Sequence, residues 1–385
     1  MKPLRVLQFI TPAGFYGAER WVLALANNLN PEHMVCDLAV TRESSAQDLT
    51  VAELYPNSAG DVHYLDMAGR FDFRVVKQLC DVIQKRGIDV IHTHGYKSDI
   101  LGFLAAKRAG IRCVSTPHGF SGKVGLKLAA FIRIGTWMLR YFDRVAPLSE
   151  ELVSDMKRFR VPDKKITFIR NGVDLTEIDA ALEEFEALVK SSEGDRIIGF
   201  IGQMIPRKGI PDLIDVFDQL YQEDSNLKLQ LLGDGSQREG LEEKASEQDS
   251  AKAIEFLGFR SDRLELLSRF HLFVMTSSLE GVPRCMMEAM AVGVPVVAYD
   301  IPGVDRLVKH GETGLLAPHG DKASLASCCR QLLDNPALAA TLSGNARQLI
   351  DEKYSAARMA QEYEHLYADL LGVDRRIRSE NTGIS

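Results

Sequence analysis

The sequence predicts an α/β protein made of two doubly wound, Rossmann-like domains in tandem. Short apolar runs typical of buried strands alternate with amphipathic helical patterns along the chain, which indicates parallel sheets covered on both faces. The alternation restarts near Arg196, and 385 residues is a normal length for two domains. The stretch before the restart, Leu175–Gly194, is charged and is the predicted linker. We therefore expect domains at residues 1–180 and 181–354.

The first domain contains six predicted strands with helical patterns between them. The strands are Leu4–Ile10, Val35–Val40, Ile88–His92, Arg112–Thr116, Arg144–Leu148 and Ile166–Ile169. The clearest helical patterns are Ala18–Leu29, Phe73–Lys85 and Ser98–Ala109. Each strand is too short and too continuously apolar to be a surface element, so the sheet is expected to be buried on both faces.

The second domain repeats this arrangement. Its predicted strands are Ile197–Gly202, Leu227–Gly233, Ile254–Gly258, His271–Met275 and Pro295–Tyr299, and its first helix is Ile210–Gln222. The last helical pattern, Ser355–Leu371, is expected to pack back on the first domain, and Asp374–Ser385 is a polar tail. Ligands of open α/β sheets bind at the carboxyl ends of strands, so we expect the chemistry in a cleft where the two domains face each other.

Charge and cysteine content narrow the functional class. The net charge is −7, from 46 basic and 53 acidic residues. Residues 1–180 hold 24 basic and 20 acidic residues (+4), which leaves 22 and 33 (−11) for the rest. The acidic half argues against general nucleic-acid binding. Six cysteines without a CxxC pair are typical of a reduced, cytoplasmic protein. No apolar run reaches the roughly 18–20 residues of a membrane span, and the N-terminus reads as a strand, not a signal peptide.

A glycine-rich turn follows the first strand in the stretch PAGFYGAER, Pro12–Arg20. Glycine allows close backbone approach, and the start of a helix favours anions. The stretch is not GxGxxG and lacks an acidic residue in a clear ribose position, which argues against a nicotinamide-dependent dehydrogenase. A plain strand-to-helix turn remains the alternative.

Two adjacent cations, Arg207 and Lys208, lie in GQMIPRKGI, Gly202–Ile210, after the first strand of the second domain. A cation at the start of a helix opposes the helix dipole, at a cost of a few tenths of a kcal/mol. A bound phosphate would offset that cost, with arginine offering a fork and lysine a point charge. The alternative is a solvated basic turn.

Two glutamates eight residues apart mark SLEGVPRCMMEAMAVGVPVVAYD, Ser278–Asp300. Glu280 follows a strand, and Glu288 falls in a predicted helix, Cys285–Val292, after a Gly-Val-Pro turn. The first N–H groups of that helix can bind phosphate. A glutamate among apolar neighbours needs a partner if it is buried. The alternative is a capping Glu280 and a surface Glu288.

His118 follows a strand of the first domain, in STPHGF, Ser115–Phe120. A lone histidine is more often structural than functional. Its place at the carboxyl end of a strand favours a site residue.

Together these motifs resemble the retaining glycosyltransferases of family 4, which have the GT-B fold. Glu280 through Glu288 matches the E-x7-E pattern of that family, and the wider EGVPRCMMEAMAVGVPVVA followed by GETGLL is similar as well. The stretches LLGDG, NGVD and PHG are further landmarks of the family. One departure is Tyr16, where the family often has glycine before Gly17.

The resemblance implies a donor site for a UDP- or GDP-linked sugar. Arg207 and Lys208 would neutralise the leaving diphosphate, Glu288 would bind the ribose hydroxyls, and Glu280 would hold hydroxyls of the transferred sugar. His118 would contact the sugar and, with Arg207, Lys208 and Glu280, completes the candidate catalytic set.

Backbone groups complete the implied site. Gly281 and Val282 would support sugar and phosphate through N–H groups, and Gly17 would let the first-domain loop approach the diphosphate. No cofactor and no metal are expected, because the chain has no DxD pair and the fixed cations would replace a metal. Retention without a covalent intermediate is the working hypothesis, since no residue stands out as a nucleophile.

The sequence features that bear on the acceptor are less specific than the motifs of the donor site. The stretch 123–144 interleaves basic and aromatic residues, which favours a peripheral contact with an anionic membrane. This fits a family in which many members glycosylate lipid-linked or lipopolysaccharide acceptors. The alternative is a core helix with a solvated basic face. We expect a cytoplasmic enzyme, with a place on the inner face of the cell membrane if that contact forms.

Two other functions stay open. A nucleotide-sugar 2-epimerase shares this two-domain fold, and it would convert its donor without an acceptor. A catalytically silent subunit on the same scaffold would have no chemical need for Arg207, Lys208, Glu280 and Glu288 together.

Overall fold

The computed structural model describes residues 3–12, 14–44, 46–69, 72–119, 126–188 and 196–373. The chain divides into two units. Unit 1 comprises Met1–Gly172 together with Ala356–Ser385, and unit 2 comprises Val173–Ser355. The sequence placed the boundary at 180/181, within a helix that belongs to unit 2. Each unit is a parallel sheet covered by helices.

Unit 1 is built on a six-stranded parallel sheet of order β3-β2-β1-β4-β5-β6. The strands are β1 Leu4–Ile10, β2 Met34–Arg42, β3 Val62–Asp66, β4 Val90–His94, β5 Arg112–Ser115 and β6 Arg144–Val145. The helices are α1 Gly17–Asn28, α2 Thr50–Glu53, α3 Arg74–Arg86, α4 Tyr96–Ala109, α5 Leu126–Met138 and α6 Glu150–Arg158. Short 3-10 turns lie at Leu139–Tyr141 and Asp163–Lys165.

Two strand predictions for unit 1 need correction. Ile166–Ile169 is not a strand, because Ile166 makes only a single bridge, to Val145 of β6. Strand β3 escaped prediction because it lies at the sheet edge, where only Leu65 is fully buried. Its sequence VHYLD therefore lacks the continuous apolar run that marks the inner strands.

Unit 2 contains a second six-stranded parallel sheet, of order β12-β11-β10-β7-β8-β9. The strands are β7 Arg196–Ile201, β8 Leu227–Leu232, β9 Ile254–Gly258, β10 Leu272–Met275, β11 Val296–Asp300 and β12 Leu315–Pro318. The helices are α7 Leu175–Leu188, α8 Ile210–Glu223, α9 Arg238–Ser246, α10 Arg263–Ser268, α11 Arg284–Val292, α12 Lys322–Leu333 and α13 Pro336–Tyr354. Further 3-10 turns lie at Pro206–Lys208 and Ala251–Ala253.

The predicted linker is largely a helix. Residues 175–188 form α7, because Ile178, Ala181 and Leu182 recur at helical spacing and pack against the core of unit 2. The acidic composition of this stretch suggested a linker, whereas the helical spacing of its apolar residues indicates a helix. The remainder of the predicted linker, 189–194, lies outside the described residues.

The final helix, α14 Ala356–Leu371, belongs to unit 1. Its Tyr363 and Tyr367 are fully buried in the core that also contains Trp21 and Leu25 of α1. The predicted polar tail, 374–385, lies outside the described residues. None of the helices described in the two units is both long and apolar enough to cross a bilayer.

The strand order of unit 2 places a crevice at its carboxyl ends. Central strand β7 pairs with β8 on one side and with β10 on the other. The connection that leaves β7 runs to the β8 side, so the loops after β7 and β10 diverge there, the usual ligand position in such sheets. Arg207, Lys208 and Glu280 lie on these two loops.

Candidate functional site

The loops after β7 and β10 are joined through their backbones. The Ser278 N–H donates to the carbonyl oxygen of Arg207 at 2.8 Å, and Thr276 Oγ1 donates to that of Lys208 at 3.0 Å. Gly209 has φ +61°, and a Cβ there would lie 2.2 Å from the carbonyl oxygen of Thr276. Only glycine fits this close approach, so the backbone fixes where the two cations stand.

Lys208 and Glu280 form a buried ion pair at this edge. Lys208 Nζ donates to Glu280 Oε1 at 2.5 Å, and the residues are only 6% and 8% exposed. Arg207 Nη1 donates to Glu280 Oε2 at 3.2 Å and to the carbonyl oxygen of Leu279 at 2.9 Å. Two cations thus surround one carboxylate, and the cluster carries a net positive charge that suits an anion.

Helix α11 begins immediately after the Gly281–Pro283 turn. Its N-cap residue is Pro283, whose side chain has no hydrogen-bond acceptor for the first N–H groups of the helix. Such groups are a ready anion site. Gly303 buttresses the turn: its φ is +91°, and a Cβ there would lie 1.8 Å from the carbonyl oxygen of Gly281. The backbone of Gly281 and Val282 is therefore held against a neighbouring loop.

Glu288 lies one turn into α11, and it is only 2% exposed. Two arginines hold its carboxylate. Arg263 of α10 donates through Nη2 to Oε1 at 3.1 Å and through Nε to Oε2 at 3.3 Å, and Arg284 Nε donates to Oε1 at 3.1 Å. Burial lowers the pKa of Arg263, but the carboxylates of Glu288 and Glu177 outweigh it and raise that pKa above its ordinary value.

Neither Arg263 nor Arg284 was predicted from the sequence as a site residue. Arg284 precedes Glu288 by four residues, which is the spacing of an ion pair on a helix, so this contact could have been predicted from the sequence. Arg263 lies 25 residues upstream on another helix, so only the tertiary structure reveals its role. The prediction that Glu288 would need a partner if buried was sound chemistry, and the arginines are the partners.

The first-domain candidates lie in unit 1. Gly17 is the first residue of α1, and a Cβ there would meet no atom within 4 Å. Packing within unit 1 therefore does not demand glycine at this position. His118 follows β5; its Nε2 lies 3.0 Å from Nδ1 of His94, and its ring centroid is 5.4 Å from that of Trp21.

The basic and aromatic stretch 123–144 divides between core and surface. Residues 123–125 lie outside the described residues, and 126–138 form α5. Trp137 is 50% exposed and packs edge-on against Tyr141 at 4.9 Å between ring centroids. Phe142 is fully buried, and Arg140 Nε donates to the carbonyl oxygen of Phe159 at 2.7 Å. Trp137 and Tyr141 are therefore on the surface and Phe142 is in the core, and the membrane contact stays a prediction.

In the part of the chain that the structure describes, no three His, Cys, Asp or Glu side chains are grouped as metal ligands would be. The charged groups that the structure brings together are instead Lys208, Arg207 and Glu280 in one cluster and Glu288, Arg263 and Arg284 in another.

Family models match most of the chain. Residues 15–177 match the model described as Glycosyltransferase Family 4, and residues 183–349 match the model described as Glycosyl transferases group 1. The chain is a family 4 glycosyltransferase of the GT-B fold. The second model spans the loops that carry Arg207, Lys208, Glu280 and Glu288.

Curated relatives of this glycosyltransferase are distant. It is 26% identical over 312 residues to N-acetyl-alpha-D-glucosaminyl L-malate synthase of Bacillus anthracis, covering 79% of this chain and 81% of the relative. It is also 26% identical over 314 residues to UDP-Gal:alpha-D-GlcNAc-diphosphoundecaprenol alpha-1,3-galactosyltransferase of Escherichia coli, covering 78% and 80%.

Among solved structures, the glycosyltransferase resembles Anabaena Alr3699/HepE, crystallised in complex with UDP. The TM-score is 0.78 at 19% sequence identity, and the match covers 95% of this chain and 100% of that one. At this level of identity the likeness establishes the fold alone.

Proposed function

We propose that this glycosyltransferase moves a sugar from a UDP-linked donor to a glycan or glycolipid acceptor of the cell surface, with retention of anomeric configuration. The observation that carries the donor assignment is the cluster of Lys208, Arg207 and Glu280 at the carboxyl ends of β7 and β10. Its net positive charge and its backbone-fixed position are what a leaving diphosphate requires.

The leaving group gains negative charge as the bond from the sugar to the phosphate breaks. Lys208 and Arg207 stand where such a charge would be stabilised, and their positions are set before the donor binds, so little reorganisation accompanies the reaction. The first N–H groups of α11 add fixed partial positive charge. Neither contribution requires a metal ion, which is why we propose metal-independent chemistry for these residues.

Glu280 would hold sugar hydroxyls, and this role is supported by the position of its carboxylate between the two cations. It would orient the sugar while the cations orient the phosphates, with Gly281 and Val282 offering backbone N–H groups beside them. Glu288 would bind the ribose hydroxyls, with Arg263 and Arg284 fixing the direction of its carboxylate. These roles follow from the charges, because carboxylates accept hydrogen bonds from hydroxyl groups and cations bind phosphate.

The proposed donor and acceptor classes draw on the relatives. The Anabaena structures contain UDP, UDP with glucose, and UDP-glucose, which supports uridine over guanosine. The E. coli relative is described as a UDP-Gal:alpha-D-GlcNAc-diphosphoundecaprenol alpha-1,3-galactosyltransferase, and the B. anthracis relative as an N-acetyl-alpha-D-glucosaminyl L-malate synthase. Lipid-linked acceptors fit the exposed Trp137 and Tyr141 of unit 1, which we propose as a peripheral contact with an anionic membrane on the cytoplasmic side.

An acceptor-dependence assay tests the proposal. The protein is incubated with UDP-glucose, UDP-galactose or UDP-N-acetylglucosamine, each with and without undecaprenyl-diphosphate-GlcNAc, in EDTA. We expect UDP release that depends on the lipid for one donor, and a product with the α-configuration of the donor. Conversion of a donor into its 2-epimer without acceptor would replace the proposal with an isomerase, and inversion would refute retention.

A further inference from the structure

A chain of buried hydrogen bonds begins at His118 and runs into the core of unit 1. His118 Nε2 lies 3.0 Å from His94 Nδ1, and His94 Nε2 lies 2.7 Å from Gln8 Oε1. His94 is the last residue of β4, and Gln8 is in the neighbouring strand β1. Both are buried. His118 is therefore tied to two polar side chains that the reaction proposed above does not use.

The chain continues to helix α14. Gln8 Nε2 donates to Tyr367 Oη at 3.3 Å, and Tyr367 Oη lies 2.6 Å from His92 Nδ1. His92 Nε2 lies 2.8 Å from Thr116 Oγ1, which is 2.8 Å from Tyr363 Oη. Each of these groups is buried, so the hydrogen bonds of the chain replace those that water would supply.

His92 and His94, the two histidines inside this series of hydrogen bonds, are neutral. Burial lowers the pKa values of His92 and His94 well below the ordinary range, and the neighbouring histidines lower them further. A neutral imidazole has one N–H donor and one acceptor nitrogen. The direction of one hydrogen bond therefore determines the direction of the next, and one group can set the tautomer of all the others.

Gln8 sets the direction. Its amide nitrogen faces two acceptors, Tyr367 Oη at 3.3 Å and Cys36 Sγ at 3.5 Å, while its oxygen faces His94 alone. Reversal of the amide would bring its two N–H groups toward one acceptor in place of two. An unsatisfied buried N–H costs about 1–3 kcal/mol. His94 therefore carries its proton on Nε2 and donates it to Gln8.

It follows that His94 accepts through Nδ1. We propose that His94 is a positioning residue that holds the uncharged form of the His118 ring in the Nε2–H tautomer, in which His118 presents Nδ1 as a hydrogen-bond acceptor. An acceptor at this position is matched to a sugar hydroxyl and not to a phosphate oxygen, which also needs a donor. The assigned tautomer stands on the geometry of unit 1, whereas its use toward a sugar rests on the function proposed above.

Histidine NMR reads the tautomer directly. The full-length chain is labelled with ¹⁵N-histidine, and the ring correlations of its nine histidines are recorded at about pH 8, above the ordinary histidine pKa. The variant His118→Ala identifies the His118 signals. We expect Nε2 of His118 to be protonated and Nδ1 to be bare. Protonated Nδ1 in the wild type would overturn the proposal without any variant.

Two substitutions of His94 separate positioning from packing. His94→Leu removes the acceptor, and we expect His118 to populate both tautomers. His94→Asn offers an amide oxygen close to the position of Nδ1, and we expect it to restore the single Nε2–H tautomer. An unchanged His118 spectrum in His94→Leu, or two tautomers in His94→Asn, would contradict the role given to His94.

UDP titration by calorimetry keeps this inference distinct from the proposed function. Both His94 variants should bind UDP as the wild type does, because the proposed diphosphate residues lie in unit 2. A wild type that shows the Nε2–H tautomer and binds no UDP supports the positioning role and defeats the donor assignment. A wild type that binds UDP and shows the Nδ1–H tautomer supports the donor assignment and overturns the positioning role of His94.

Discussion

The strand-end regions of the two units bury titratable groups in opposite ways. In unit 2, Lys208, Glu280 and Glu288 are buried in contact with groups of opposite charge. In unit 1, His92 and His94 are buried with lowered pKa values that keep them neutral. The ion-paired groups of unit 2 can bind a charged diphosphate, whereas the uncharged histidines of unit 1 can only donate or accept hydrogen bonds in fixed directions. The two regions therefore differ in what they can offer a ligand: paired charges in unit 2, and uncharged hydrogen-bonding groups in unit 1.

The burial costs of the two arrangements also differ. A buried ion pair is strongly destabilised when one partner is removed, by about 3–5 kcal/mol. A neutral network loses about 1–3 kcal/mol for each orphaned polar group. Substitutions in the two regions should therefore differ in size as well as in kind.

Lys208→Ala is expected to have the largest effect. Turnover of the UDP-linked donor should fall at least about a hundredfold, because the leaving diphosphate loses a preorganised cation. The matched control is Lys252→Ala, which removes an exposed lysine of the same unit. Steady-state rates are compared at a temperature where thermal denaturation shows both variants folded. A rate close to wild type in Lys208→Ala would remove Lys208 from the mechanism.

Asp99→Asn probes the neutral region through pH. Burial raises the pKa of Asp99 to about 7, although the hydroxyls of Thr93 and Ser115 lower it in part. The unfolded carboxyl has a pKa of about 3.9, so between pH 4 and 7 the folded state binds more protons. The free energy of unfolding should then fall as pH rises through that window.

In Asp99→Asn this decline should disappear. Between pH 4 and pH 8 the variant should gain on the order of 2 kcal/mol of stability relative to wild type, since about 1.4 kcal/mol per unit of pKa shift sets an upper bound of about 4 kcal/mol. Urea denaturation at pH 4, 6 and 8 measures it, with Asp81→Asn, an exposed position on α3, as the control. Parallel pH profiles of Asp99→Asn and wild type would show that Asp99 is not held neutral.

Glu288→Gln separates hydroxyl binding from charge stabilisation. UDP affinity should fall about tenfold, since a hydrogen bond to a charged group contributes about 1.5–3 kcal/mol. The amide keeps the size of the side chain and one acceptor for Arg263. Isothermal titration with UDP measures the change, and Glu280→Gln serves for comparison because it should reduce turnover more than UDP affinity. Equal UDP affinity in Glu288→Gln and wild type would make the ribose assignment wrong.

Asp321→Ala gives the smallest expected effect and a baseline for unit 2. Asp321 caps α12 by accepting from the Ser324 N–H at 3.0 Å. Its loss should lower the free energy of unfolding by about 1 kcal/mol and leave UDP affinity unchanged. Chemical denaturation and titration give the two values. A parallel loss of UDP affinity would mean that affinity follows general stability, and the larger effects above would lose their meaning.

Much of the sheet architecture could be predicted because inner strands are continuous apolar runs. Strand β1 was predicted at its exact bounds, Leu4–Ile10, and edge strand β9 at Ile254–Gly258, because the sequence IEFLG is still mostly apolar. Edge strand β3 has no such run, and α7 combines an apolar face with many acidic residues, so both were missed. The local pattern therefore predicts a strand where the sequence keeps an apolar run, and it fails where polar and apolar residues are mixed, as in β3 and α7.

The candidate site divides in the same way. Arg207, Lys208 and Glu280 follow two different strands, and the rule that ligands bind at strand ends brought them together in prediction. Arg263 could not be found, because its pairing with Glu288 depends on how α10 lies against α11. His94 was within reach: it ends β4, His118 follows β5, and these strands are parallel neighbours. Which group donates and which accepts in each of these hydrogen bonds could be assigned only from the structure.

The paired charges of unit 2 are proposed to form a diphosphate site. Titration of the wild type and of Lys208→Ala with UDP in EDTA, followed by calorimetry and by thermal denaturation, tests it most directly. We expect UDP to bind the wild type without metal, to stabilise it by about 2.7 kcal/mol at 100 times the dissociation constant, and to bind Lys208→Ala more weakly. Equal affinities for the two proteins, or no binding to the wild type with or without Mg²⁺, would contradict it.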